Sequence, residues 1–117
     1  MQTRPYDSKD GLRIWLSRDE RAQLLAILRC MAEAPWSWGR RNLIYILCAE
    51  SKAPERGREQ SGYGALAFRS KTALKHLLTL LERGDFVQPR ELDHGGIVLD
   101  LTTKGRAALQ DSSLLDF

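Results

Sequence analysis

The chain has 117 residues, 43% of them hydrophobic, and a formal net charge of +3. That length suits one domain with a real core, and no apolar run approaches the ~20 residues that span a bilayer. The opening MQTRPYDSKDG lacks the apolar stretch of a signal peptide, so the expectation is a soluble, cytoplasmic protein with no membrane partner.

In chain order, residues 1–16 read as a loose N-terminal arm, with LRIWL (Leu12–Leu16) a short strand or docking segment. Ser17 opens a first helix, and Glu20 completes an S-x-x-E capping box. Leu24, Leu25, Ile27, Leu28 and Met31 then follow at helical spacing until Pro35. WSWG is a turn whose two tryptophans wedge between helices or meet a ligand. A second helix runs from about Arg40 to Ala49, with Leu43, Ile44 and Leu47 on one face. The polar stretch ESKAPERGREQSG reads as a loop, and its length is of the kind that often carries function. The third helix spans Ser70–Arg83, with the stripe Leu74, Leu77, Leu78 and Leu81 and with Gly84 as its C′ residue. DFVQPREL and GIVLDLT form two strands around the DHGG turn, and Thr102 or Thr103 begins a last helix. Three helices, a two-stranded hairpin and a closing helix make the fold class mostly α with a small β-hairpin (α+β), in the layout of a winged helix-turn-helix. The domain covers residues 17–110, and residues 111–117 form an acidic-apolar tail.

Charge is unevenly placed. Residues 40–75 hold eight cations against three acids, a surplus of five where the whole chain has a surplus of three. A concentrated basic patch points to a polyanion, or it is chance clustering on a solvated surface. On the third helix Lys71 and Lys75 lie one turn apart, flanked by Thr72, His76 and Thr79 and opposite the leucines. Ser70 is an N-cap set between Arg69 and Lys71, and cations are unfavourable at that positive dipole end unless an anion joins them. Arg40 and Arg41 hold a second phosphate or pair with Glu33 or Glu50. Tyr63 packs under the loop or stacks on a base.

Chemistry of other kinds has little support in the residues. Cys30 and Cys48 fall in helical apolar patterns and read as reduced core residues; without a CxxC or a third cysteine they form no zinc set. No serine or cysteine has a convincing base, so no catalytic residue, metal or cofactor is assigned. The GYG stretch follows no strand and is no nucleotide fingerprint.

Four segments of this chain resemble the RQC domain, the winged helix of RecQ-family DNA helicases. They are Trp38–Gly39 before the second helix, YGALAFRS (Tyr63–Ser70), LLERGDFV (Leu80–Val87) and LTTKGRAAL (Leu101–Leu109). The resemblance covers about Glu20–Leu109 and implies a small stand-alone, non-enzymatic DNA-binding module, nucleoid-associated if bacterial, in DNA replication or repair. It implies phosphate contacts from Ser51, Lys52, Arg56 and Arg58 in the loop and from Arg69, Ser70 and Lys71 at the recognition-helix start. Thr72 and Lys75 join them on the helix face, and His94 is a contact at the wing tip or an exposed turn histidine. The wing tip, Asp93–Gly96, lacks an exposed aromatic, which argues for binding of duplex, fork or junction DNA without strand separation. Two alternatives stand beside this: a protein-interaction winged helix, with the tail DSSLLDF as its docking segment, and a dimeric sequence-specific transcription regulator.

Overall fold

The computed structural model describes residues 9–115, with side chains from residue 20 onward. Within them lie five α-helices and one antiparallel hairpin: α1 (Lys9–Glu33), α2 (Arg40–Leu47), α3 (Glu55–Arg58), α4 (Lys71–Arg83), β1 (Val87–Glu91), β2 (Ile97–Leu101) and α5 (Thr103–Gln110). A 3-10 turn, Ser112–Leu115, follows. The mixed α+β class expected from the sequence is what the chain adopts. Among the described residues no helix is long and apolar enough to cross a membrane.

The first helix departs from expectation. Residues 1–8 of the proposed arm lie outside the described residues, but Leu12–Leu16 is helical backbone and not a strand. No proline interrupts the chain between Pro5 and Pro35, so nothing forces a break before Ser17. Ser17 is therefore interior to α1. In a helix interior each N–H is already bonded within the helix, which leaves the capping box no open donor to satisfy.

Helices α1, α2 and α4 close one core. Leu24, Ile27 and Leu28 of α1, Leu43 and Leu47 of α2, and all four leucines of the α4 stripe are buried. Each fully buried leucine contributes roughly 2 kcal/mol. Ser70 caps α4, its hydroxyl accepting from Ala73 N–H at 3.1 Å. At the other end Gly84 is not the left-handed residue; Asp85 is, with φ 63°. Phe86 N–H donates to Leu81 C=O at 2.9 Å and Asp85 N–H to Glu82 C=O at 3.1 Å, the paired bonds of a Schellman stop. The buried Phe86 ring supplies the apolar contact that accompanies this motif.

The hairpin pairs Val87 with Leu101 through Glu91 with Ile97. Leu92 N–H donates to Gly96 C=O at 2.7 Å, and Gly95 takes φ 94°, which glycine adopts without strain. Leu99 N–H points away from β1 and donates to Trp38 C=O at 2.9 Å. Its partner Pro89 therefore faces the free edge of β1, where a missing N–H costs no ladder bond.

The segments LLERGDFV and LTTKGRAAL meet at one junction. Thr102 caps α5, accepting from Gly105 N–H at 3.0 Å, while its own N–H donates to Phe86 C=O at 3.1 Å. Lys104 Nζ donates to Gly84 C=O at 2.8 Å and lies 4.6 Å from the Phe86 ring centre. A Cβ on Gly105 would stand 2.1 Å from Phe86 O, so only glycine lets α5 approach this closely.

Candidate functional site

The stretch between α2 and α4, expected to be a loop, carries the short helix α3 (Glu55–Arg58) and is firmly held. Gly64 N–H donates to Ile46 C=O at 2.8 Å and Leu66 N–H to Leu47 C=O at 3.0 Å. Buried Gln60 accepts from Trp38 Nε1 at 2.6 Å and donates to Cys30 C=O at 2.8 Å. Glu33 accepts from both the N–H and the hydroxyl of Ser61, which holds its carboxyl below the usual range. Tyr63 packs against the core, its hydroxyl reaching Glu50 C=O at 3.4 Å. The N-terminus of α4 is thus presented by a fastened segment.

A cleft of about 330 Å³ lies between α2 and α4. Arg40, Arg41, Lys71 and Lys75 line it, with Ile44 and half-buried Tyr45, and no acid is among the lining residues. Helical spacing explains the convergence. Arg41 and Tyr45 are four residues apart on α2, and Lys71 and Lys75 are four apart on α4. A second groove, of about 500 Å³, shares Arg40, Arg41 and Tyr45 and continues past Gly39 to Leu92, Gly96, Ile97 and Val98 of the hairpin. A continuous track therefore runs from α4 across the start of α2 to the hairpin. Gly39, at the N-cap of α2, provides no side-chain cap.

The four cleft cations differ in their partners. Lys71 Nζ lies 2.6 Å from Glu50 Oε1 and 5.4 Å from the Tyr45 ring centre. The Glu50 hydrogen bond holds its ammonium above the ordinary lysine range. Arg40 pairs with Glu82 at 2.6 Å, not with Glu33 or Glu50, which Ser61 and Lys71 occupy. Arg41 and Lys75 have no carboxylate partner among the described residues and are exposed.

The residues singled out in the sequence are only partly brought together. Lys71 and Lys75 line the cleft, and Ser70 caps the helix that carries them. Thr72 is exposed on the first turn of α4. Arg69 is half-buried, and its Nε is enclosed without a hydrogen-bond partner. Ser51 and Lys52 are exposed just after Glu50, the residue that holds Lys71. Arg56 and Arg58 lie on α3. Arg56 stacks its guanidinium 5.0 Å from the Trp36 ring centre and belongs to a separate surface. Trp36 in turn meets Trp38 edge-on, with centres 5.6 Å apart. His94 is exposed at the hairpin tip and is not among the groove-lining residues. Tyr45 is a cleft residue the sequence reading did not single out, and Arg41, like Arg40, was offered there only as a phosphate contact or an ion-pair partner. The i, i+4 spacing of Arg41 and Tyr45 was the available signal, but only the packing of α2 against α4 sets them beside Lys75.

Comparison with known proteins finds no matching family model, no matching curated protein and no matching solved structure. Among the described residues no three His, Cys, Asp or Glu side chains converge as metal ligands.

Proposed function

We propose that the protein is a non-enzymatic nucleic-acid-binding module of winged helix-turn-helix type, contacting DNA phosphates along the track from α4 past α2 to the hairpin. The observation that carries this reading is the convergence of four cations from two helices on one cleft without a lining carboxylate. In it α4 is the recognition helix and β1–β2 the wing. The uncapped start of α2 adds backbone donors and a positive dipole end to the same track. Arg41 and Lys75 are the leading phosphate contacts, because neither must leave an acid among the described residues to bind. Lys71 and Arg40 act from fixed positions, held at the sides by Glu50 and Glu82. The likeness to the RQC domain rests on the quoted residues, and it suggests duplex, fork or junction DNA as the ligand.

Binding of a labelled duplex, measured by fluorescence anisotropy over a range of salt, tests the proposal. About four phosphate contacts give a log–log salt slope near −4, and Arg41→Ala and Lys75→Ala each reduce it by about 1. Absence of binding at ~50 mM salt and tens of micromolar protein, or binding indifferent to salt, overturns it.

A second reading has one observation in its favour. Phe68, just before α4, is 70% exposed, and its neighbours Ala65 and Ala67 are exposed as well. An apolar projection of this kind suits a protein partner. Phe68→Ser would then abolish partner capture and leave the salt-dependent DNA affinity as it was.

A further inference from the structure

We infer that the α2–α4 cleft accommodates one unstacked nucleotide, its base against Tyr45 and its phosphate between Arg41 and Lys75. This deepens the nucleic-acid reading above and rests on it. Contact with a phosphate backbone needs only a charged surface. Here the cations instead rim a concavity whose floor is the side chains of Ile44 and Tyr45. A cleft of about 330 Å³ has room for a mononucleotide but cannot admit a duplex, which meets only its rim. In a duplex the base faces are covered by their neighbours, so only a base turned out of a strand, or one never stacked, reaches the floor.

The ring is set up for that contact. Tyr45 is half-buried and held on α2 by the buried Ile44 and Ile46 on either side of it in the chain. Its hydroxyl bonds no described residue. Lys71, paired with Glu50, stands over the ring 5.4 Å from its centre and swings aside when a base stacks there, while Arg41 and Lys75, without carboxylate partners among the described residues, receive a phosphate. An aromatic floor with a cationic rim is the combination that holds single nucleotides of any sequence, since every base has a π-face. The Tyr45 ring is thus assigned to the base and the paired and unpaired cations to the charge.

The test compares an oligothymidylate with an abasic phosphodiester chain of the same length, which has equal charge and no bases. The full-length protein should bind the oligothymidylate about tenfold more tightly, the range expected for one stacked base. Tyr45→Phe should retain that ratio. Tyr45→Leu, which keeps an apolar side chain of similar bulk at the floor, should bring it close to one. Equal affinity of the two chains for the native protein, or a tenfold ratio that survives in Tyr45→Leu, overturns the inference. Equal affinities together with salt-dependent duplex binding would remove this nucleotide site and leave the backbone reading standing; no binding to any of the nucleic acids removes both. Thymidine triphosphate is the other arm. Displacement of the oligothymidylate by it at similar concentration supports the cleft as a site for a free nucleotide. Failure to displace, with the tenfold ratio intact, supports a nucleotide presented by a strand.

Discussion

Ala49 and Asp85 have φ of 60° and 63°, the left-handed region in which a Cβ crowds the following carbonyl. Both stand just past a helix end. Glu50 N–H donates to Tyr45 C=O at 2.9 Å in the first case, as Phe86 N–H does to Leu81 C=O in the second. Aspartate tolerates this conformation better than alanine, so the larger strain is at Ala49. Ala49→Gly should raise the unfolding free energy by about 1 kcal/mol, read from thermal or urea denaturation, with a smaller gain for Asp85→Gly. Cys30 makes a different residue-scale prediction. Burial, aided by the nearby Glu33 carboxylate, pushes its thiol up to about 11. For an acid with a raised folded pKa, the neutral form is what the fold favours. Below pH ~9 the thiol is protonated in both states and contributes no pH dependence; as pH rises from about 9 towards 11 the unfolded chain loses the proton first and stability falls. The stability difference between the native protein and Cys30→Ala should therefore narrow over that window in urea titrations at successive pH values.

At the scale of elements, the junction of α4, β1 and α5 decides where the hairpin stands relative to α4. Thr102, Lys104 and Gly105 bond or abut Gly84, Asp85 and Phe86, and the Thr102 hydroxyl donates to Asp85 C=O at 2.5 Å. LLERGDFV and LTTKGRAAL are thus two halves of one clamp. Their pattern follows from backbone contact as well as from any ligand. Gly105→Ala should cost about 3 kcal/mol or more, because its methyl meets a backbone oxygen that has no rotamer to yield. Circular dichroism melts of this variant against Ala107→Gly, an exposed position on the same helix, separate the clash from simple helix propensity. The hairpin itself is tied by Asp100, which accepts from Arg90 at 2.6 Å and from the Ser37 hydroxyl, holding its carboxyl below the usual range.

At the scale of the whole molecule, the end of the described chain is structural. Leu115 is buried in the same core as Leu28 and Leu81, and the 3-10 turn packs on α1 and α5. One alternative read the tail as a docking segment for a partner; its second leucine is spent on the domain's own interior. Asp116 and Phe117 lie outside the described residues. Leu115→Ala should lower stability by about 2–4 kcal/mol in urea titrations, whereas Leu114→Ala, at an exposed neighbour, should lower it by less than about 1 kcal/mol.

Periodicity was enough to place α2, α4, the hairpin and α5, because each buries one face of a regular element and the leucine and strand spacings record it. The Ser70 cap was equally legible, since a capping hydroxyl must precede the turn it satisfies, whereas the start of α5 was left between Thr102 and Thr103. Other features depended on residues distant in the chain. α1 extends back to Lys9 because no local break forbids it, and a capping box is only a signal where donors remain open. Asp85 took the left-handed place beside an available glycine because the Phe86 ring had to turn into the core. Above all, the charge excess of residues 40–75 was visible as a count, but a count has no direction. The fold sent Arg56 to Trp36, tied Lys71 to Glu50 and Arg40 to Glu82, and left Arg41 and Lys75 beside Tyr45 with no carboxylate partner among the described residues. Which cations are held by acids and which stay open is a matter of Coulomb energy over a few ångströms, and only the packing of α2 against α4 brings those distances into being.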